Sequence, residues 1–175
     1  YMYCCFLERE KFMKKIDIID MSPIVLKPLV VEDIELLRQL RNLNDIRKNF
    51  VYDKYIDEES QKKWFVNYLE VNNDLMWSVF FKEEWCGAVA VYDIDLEKKE
   101  AEFGRIMLCP SIQGAGLGKK IIKGVLDYCK NILNLRRIVL SVKVNNIPAI
   151  KSYLDTGFEF IEKKRGYYLM GLYFK

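Results

Sequence analysis

The 175-residue sequence contains no histidine. This absence excludes histidine-dependent catalytic triads, histidine general bases and most catalytic zinc sites. Any proton transfer must therefore use carboxylates, tyrosine, lysine, cysteine or water. The sequence also lacks an apolar run of the ~18 residues that a membrane-spanning helix needs. The net charge of +3 is too small to indicate nucleic-acid binding. We expect neither a membrane span nor a nucleic-acid partner.

The five cysteines are odd in number and have no metal-ligand spacing. Such cysteines are most simply reduced thiols, which predicts a cytoplasmic protein without a metal site. The apolar stretch over residues 1–7 is too short for the core of a signal peptide before the charged residues that follow it.

The composition, 51% hydrophobic and 30% charged, is typical of a single globular domain with a sizeable core. The chain does not begin with methionine. We therefore interpret residues 1–20 as a leader of uncertain origin, either outside the core fold or adding a short edge strand over residues 16–19. Residues 21–175 are predicted to form the single domain.

The hydrophobic periodicity alternates between strand and helix patterns. The first strand, 24–29, contains Pro28, which indicates an edge strand. The predicted elements that follow are a helix over 31–43, a helix begun by the capping residues 57–60, an antiparallel meander of strands 75–81, 85–94 and 100–108, a helix to about 131, a strand from 137, a short helix through 153 and a hairpin of 158–162 with 167–173. The fold class is a mixed α/β (α+β) domain with a mostly antiparallel central sheet.

Three glycines at alternate positions follow the strand 100–108 and precede a helix: Gly114, Gly116 and Gly118. Without side chains, this loop can bring backbone N–H groups and the helix N-terminus against an anion. The Rossmann fingerprint is excluded by the G-x-G-x-G spacing, and the P-loop pattern by Lys120, which stands where serine or threonine is required.

The loop resembles the [QR]-x-x-G-x-[GA] motif of the GNAT superfamily of acetyl-CoA-dependent N-acetyltransferases, through Gln113, Gly116 and Gly118. A second segment resembles the N-x-x-A-x-x-x-Y-x-x-x-G-F pattern of the same superfamily, and its matching residues are Asn146, Ala149, Tyr153, Gly157 and Phe158. The resemblance spans roughly residues 24–174. It implies acetyl-CoA as the cofactor, with coenzyme A as product, and a sheet whose central strands splay apart.

The resemblance also implies the roles of individual residues. Tyr153 would be the acid that protonates the leaving thiolate, although a tyrosine on an amphipathic helix can also place its hydroxyl at the surface. Glu102 would be the base, acting directly or through water, and the alternative is a carboxylate paired with Arg105 or a lysine. Asn146 would orient the coenzyme arm or cap its helix. The residues expected to bind the cofactor are Met107, Leu108, Gln113, Gly114, Ala115, Gly116, Leu117, Gly118, Lys119, Asn146 and Ala149.

The implied reaction is acetyl transfer to a primary amine by direct attack in a ternary complex. Several short stretches look most like bacterial members that act on amino sugars or nucleotide-linked amino sugars, and Arg41, Tyr52 and Arg105 are the expected substrate contacts. The alternatives are an N-terminal acetyltransferase of the ribosomal-protein type and, more remotely, a non-catalytic acyl-CoA sensor. The partner is a small-molecule amine, and the final hairpin could pair across a homodimer.

Overall fold

The computed structural model describes residues 16–175, which fold around one eight-stranded sheet. The strands are β1 (Ile19–Met21), β2 (Ile24–Pro28), β3 (Leu75–Phe81), β4 (Glu84–Asp95), β5 (Glu100–Leu108), β6 (Arg137–Lys143), β7 (Glu159–Lys164) and β8 (Tyr167–Tyr173). Their order across the sheet is β1-β2-β3-β4-β5-β6-β8-β7. Within the described residues, β5 and β6 pair in parallel and every other neighbouring pair is antiparallel. This mostly antiparallel sheet confirms the predicted fold class.

Helices cover both faces of the sheet. They are α1 (Ile34–Asn42), α2 (Asn44–Arg47), α3 (Glu58–Glu70), α4 (Leu117–Asn131) and α5 (Ile147–Asp155). The first three pack on one face together with Ala88 and Ala90 of β4, whereas α4 and α5 pack on the other face together with Val89 and Val91. Since successive side chains of a strand point to opposite faces, this burial on both sides explains the continuous apolar run of β4.

Most element boundaries agree with the sequence pattern. Strands β3 and β5 have the predicted bounds, and Asp57 caps α3 by accepting a hydrogen bond from the Ser60 N–H at 2.7 Å. The predicted helix over 31–43 is shorter, because Val31–Asp33 forms a 3-10 turn before α1 begins. No helix in the described part of the chain is long and apolar enough to cross a membrane.

The prediction that Pro28 marks an edge strand is wrong. Strand β1 covers that side of β2, but it pairs only with Ile24, Val25 and Leu26. Pro28 lies beyond this ladder, so its missing N–H costs no bond to β1. The predicted strand over 16–19 forms instead at Ile19–Met21. Most of the predicted leader, residues 1–15, lies outside the described residues.

The last hairpin places β7 at the outer edge of the sheet, where all six of its residues are exposed. An exposed edge presents unpaired backbone groups that another strand can join. Pairing of this strand across a dimer stays a prediction.

Two central strands separate after a short parallel ladder. Strands β5 and β6 pair over Glu100–Arg137, Ala101–Ile138 and Glu102–Val139, and no further pair follows although both strands continue. Strand β6 remains paired with β8 along its whole length. The predicted splay of the central strands is therefore present, and it opens the sheet between Leu108 and Lys143.

Candidate active site

A groove of about 630 Å³ lies where β5 and β6 separate. It is bounded by the end of β5, the glycine loop, the first turn of α4, the helix α5 and the segment that follows α1. The lining residues are Ile46, Asn49, Phe50, Ile106, Met107, Leu108, Ile112, Gln113, Gly114, Gly116, Gly118, Lys119, Ile122, Asn146, Pro148, Ala149, Lys151, Ser152, Tyr153 and Asp155.

The glycine loop at one end of the groove has the geometry of an anion site. Gly114 and Gly116 have φ angles of +82° and +74°, in the left-handed region that glycine adopts without strain. A Cβ at either position would meet nothing within 4 Å, so the space above the backbone is open. Gly116 is the N-cap of α4 and makes no side-chain capping bond, which leaves the first N–H groups of the helix for a ligand. Together with the positive end of the helix dipole, these groups fit a pyrophosphate.

Most of the residues predicted to bind the cofactor meet in this groove. Those that line it are Met107, Leu108, Gln113, Gly114, Gly116, Gly118, Lys119, Asn146 and Ala149. Gln113 also fixes the loop, because its side-chain amide donates to the carbonyl of Leu108 at 2.8 Å. Ala115 is exposed outside the groove, and the side chain of Leu117 is buried in the core because the first turn of α4 points it inward. Neither side chain reaches the groove, so these two residues would bind the cofactor only through their backbone N–H groups, and that role stays a prediction.

Tyr153 lies on α5 at the inner wall of the groove. Its side chain is 6% exposed and makes edge-to-face contacts with Phe103 and Phe158, at ring-centroid distances of 6.1 and 5.7 Å. This burial excludes the alternative of a surface tyrosine. Desolvation by burial raises the pKa of the Tyr153 phenol, so the hydroxyl stays protonated at neutral pH. The side chain can thus supply a proton, and its role as the acid stays a prediction.

Glu102 lies at the point where β5 and β6 separate, on the sheet face that carries Met107. Its carboxylate accepts a hydrogen bond from the Tyr92 hydroxyl at 3.0 Å. Burial raises the pKa of Glu102 and the nearby Asp93 adds to this, while the Tyr92 hydrogen bond and Arg105 oppose it. Glu102 forms no ion pair with the described residues, and its side chain is not part of the groove wall. The alternative interpretation, in which Glu102 pairs with Arg105, is therefore wrong, because Arg105 binds Asp74.

The three predicted substrate contacts are not brought together. Arg105 binds both carboxylate oxygens of Asp74, at 2.8 and 2.7 Å, and lies outside the groove wall. Arg41 is 8% exposed; its guanidinium stacks on Phe50 at 3.8 Å and donates to the carbonyl of Tyr52. The side chain of Tyr52 is exposed. None of the three lines the groove, although Phe50, on which Arg41 stacks, does.

Sequence reasoning missed two sets of groove residues. The first, Ile46 and Phe50, belongs to the segment after α1, and no motif in the sequence indicates that this segment folds against the groove. The second is on α5, where Ser152 and Asp155 line the groove. Ser152 follows Ala149 by three residues, a spacing that places both on the same face of a helix. Its position at the groove could therefore have been predicted from the sequence.

A family model described as "Acetyltransferase (GNAT) domain" matches residues 24–159. A spermidine N(1)-acetyltransferase from Vibrio cholerae is 28% identical over 138 residues, which are 78% of this chain and 79% of that protein. An N-alpha-acetyltransferase 50 from Danio rerio is 28% identical over 133 residues, 75% of this chain and 74% of that protein. The crystal structure of the V. cholerae spermidine N-acetyltransferase in complex with CoA and spermine superposes with a TM-score of 0.79 and 24% identity, covering 87% of this chain and 96% of that one.

Proposed function

This chain belongs to the GNAT family of acetyltransferases, and we propose that the amine it acetylates is a polyamine. It is an acetyl-CoA-dependent N-acetyltransferase by family. The observation that supports a polyamine acceptor is the similarity, over 78% of the chain, to a protein named for the acetylation of spermidine.

The charges near the separation of β5 and β6 agree with a cationic acceptor. The Arg105 guanidinium, which lies beside Glu102, is neutralised by Asp74. Glu102 and the neighbouring Asp93 are carboxylates that form no ion pair with the described residues. The local charge is therefore negative, which attracts an ammonium group more than an anionic sugar nucleotide.

The groove contains groups that would hold acetyl-CoA. The N–H groups of the loop at Gly114 and Gly116, together with the first turn of α4, would bind the pyrophosphate. Among residues 16–175, no strand pairs with the edge of β5 at Met107 and Leu108 on the β6 side, and this edge would pair with the amide groups of the pantetheine arm. When bound, acetyl-CoA supplies the thioester whose C–S bond breaks as the new C–N bond forms.

Two side chains would move the protons. Glu102 takes the proton that the amine must lose, directly or through water, so that the nitrogen lone pair is free to attack. Tyr153 donates its proton to the departing sulfur, and solvent restores the phenol. After the attack the nitrogen loses a second proton to solvent, and Glu102 returns its proton to solvent, so that one proton is released for each amide formed.

The nucleotide-linked amino sugar predicted from the sequence is the second candidate. One observation favours it: the Nη1 atom of Arg41 is buried without a hydrogen-bond partner in the described part of the chain, and its guanidinium stacks on the groove residue Phe50. A phosphate reaching past Phe50 would satisfy this atom.

A thiol-release assay with acetyl-CoA tests both candidates. The panel contains spermidine, spermine, a UDP-linked 4-amino sugar and short peptides with free N-termini, each with the wild type and Tyr153→Phe. We expect the highest kcat/KM on a polyamine. Turnover confined to the sugar nucleotide or to peptides would overturn the polyamine class. Binding of CoA without turnover of any amine would instead favour the sensor predicted as the remote alternative.

A further inference from the structure

Tyr92 and Glu102 face each other across β4 and β5, on the sheet face covered by α1 and α3. The Tyr92 hydroxyl donates to one oxygen of Glu102 at 3.0 Å. This contact depends on Gly104, the next residue of β5 on that face. A Cβ at position 104 would lie 2.7 Å from the Tyr92 hydroxyl oxygen and 3.0 Å from a ring carbon. Because Gly104 has no side chain, the Tyr92 hydroxyl can occupy the space where a Cβ would otherwise be.

The Tyr92 ring is also held by Arg105. The Arg105 guanidinium lies 4.4 Å from the ring centroid and is itself fixed by both oxygens of Asp74. Arg105 has a φ of +48°, in the left-handed region where residues other than glycine are strained. It occupies the point at which the β4–β5 register shifts, between the pairs Ala90–Gly104 and Ala88–Met107. The bulge turns Arg105 onto the ring, so the contacts form a chain from Asp74 through Arg105 and Tyr92 to Glu102.

We propose that Tyr92 is a positioning residue that orients the Glu102 carboxylate and favours its ionised form, with Arg105 and Asp74 holding the ring in place. The inference rests on the role of Glu102 as the base in the proposed function. Tyr92 itself lies outside the groove wall and acts through Glu102. The sequence gives no motif for it.

The groups that face Glu102 come from two strands. Tyr92 and Asp93 belong to β4 and Arg105 belongs to β5. Burial and the Asp93 charge raise the pKa of Glu102, whereas the Tyr92 hydrogen bond and the Arg105 charge lower it. Removal of the Tyr92 hydroxyl therefore removes one of the two groups that favour the carboxylate. The pKa of Glu102 should rise further, and a larger fraction of the enzyme should be protonated at Glu102 near neutral pH.

The decisive experiment measures the pKa of Glu102 directly, in the enzyme without substrates. The side-chain carboxyl of ¹³C-glutamate-labelled protein is titrated by NMR, and the Glu102 signal is assigned by its loss in Glu102→Gln. In Tyr92→Phe, which keeps the ring that Arg105 covers, we expect the pKa of Glu102 to rise by ~1 unit, as for loss of a hydrogen bond to a charged group. An unchanged or lower pKa would overturn the proposal.

Two further variants separate positioning from a general structural effect. Tyr128→Phe is the matched control: the Tyr128 hydroxyl donates to a carboxylate oxygen of Asp17 at 2.9 Å, on the opposite face of the sheet. It should leave the Glu102 titration unchanged. Gly104→Ala keeps Tyr92 but fills the space of its hydroxyl, and it should raise the pKa of Glu102 as Tyr92→Phe does. A shift caused equally by Tyr128→Phe would contradict the proposal.

The kinetic profile provides a second, independent result. With an accepted amine, the acid limb of kcat/KM in Tyr92→Phe should move to higher pH by the shift that NMR measures. At high pH the rate should recover most of the wild-type value. A loss of equal size at every pH would show a structural role instead. If no amine is turned over, the proposed function fails, but the NMR titration still decides whether Tyr92 controls Glu102.

Discussion

Glu102 and Val139 are the last facing residues of the parallel ladder between β5 and β6. Beyond this pair β5 continues to Leu108 while β6 turns to pair with β8 alone, so the two strands form the walls of one groove. Backbone groups inside a protein are almost always hydrogen-bonded, and the free edge of β5 is therefore suited to an extended ligand that carries amide groups. The same pair places Glu102 at the vertex of the opening. The end of a ladder thus creates the binding groove and places the backbone of the candidate base where the strands separate, while its side chain lies outside the groove wall.

We expect Gly116→Ala to weaken CoA binding by ~10-fold or more. Alanine in the left-handed region at φ +74° costs ~1–2 kcal/mol, and relief of this strain moves the N–H groups at the start of α4 away from the phosphates. Titration calorimetry with CoA measures the dissociation constant. Gly166→Ala is the control, because Gly166 has a similar φ of +90° and open space around it but lies in the β7–β8 turn. It should lose stability with no change in Kd, and an equal Kd for Gly116→Ala and the wild type would refute the anion site.

Tyr153→Phe should lower kcat by ~10² with little effect on the free energy of unfolding. The ring contacts with Phe103 and Phe158 are kept, and the Tyr153 hydroxyl makes no hydrogen bond to the other described residues. Steady-state kinetics and urea unfolding give the two quantities. Tyr68→Phe is the control, since the Tyr68 hydroxyl accepts from the Met76 N–H at 3.1 Å and should be needed for stability but not for kcat. A wild-type kcat in Tyr153→Phe would exclude this residue as the acid.

Asp155→Asn should tighten CoA binding, by ~2–5-fold at low salt. Asp155 holds Lys119 at 3.0 Å, and both side chains line the groove beside the glycine loop. The Asp155 carboxylate forms an ion pair with the Lys119 ammonium, which then binds phosphate less strongly, and it also repels phosphate directly. Salt reduces both effects because the two side chains are partly exposed. Calorimetry at two salt concentrations measures it. Glu59→Gln, which breaks the exposed Glu59–Lys63 pair on α3, should leave the Kd unchanged. Weaker binding in Asp155→Asn would show that the ion pair instead orders the site.

Glu102→Gln should be inactive near neutral pH and more stable than the wild type. The folded-state pKa of Glu102 is raised by burial, so the wild type loses stability as pH rises from the unfolded value of ~4.3 through the folded value. Glutamine carries no charge and avoids this loss. Urea unfolding at pH 7 and pH 4 should show an advantage of the variant at pH 7 that shrinks at pH 4.

Asp57→Asn provides the opposite trend for comparison. The backbone and side-chain hydrogen bonds from Ser60 lower the pKa of Asp57, so its contribution to stability is present at pH 7 and is lost as pH falls. The asparagine variant should be less stable than the wild type at pH 7, with the difference shrinking at low pH. If Glu102→Gln followed the same trend, the carboxylate of Glu102 would be stabilised by the fold and not strained by it.

The sequence determined the features whose cause is local. Gly114 and Gly116 are required by the backbone of one loop, the capping by Asp57 involves residues three apart, and the bounds of β3 follow from an apolar run that ends at polar turn residues. Each of these depends on residues that are close along the chain, so spacing alone is enough to predict them. The order of the two motifs likewise identified the family fold.

Only the tertiary structure decided which partner each long polar side chain finds. Arg105 was predicted to contact the substrate, but Asp74, 31 residues earlier, binds it; Arg41 is turned inward onto Phe50. Glu102 was considered as a partner for Arg105 and is instead bound by Tyr92 from the neighbouring strand. Long flexible side chains carry no backbone signature of their direction, and their partners depend on strand register and on a β-bulge. The register therefore decides which charges remain available at the site, and the sequence alone does not.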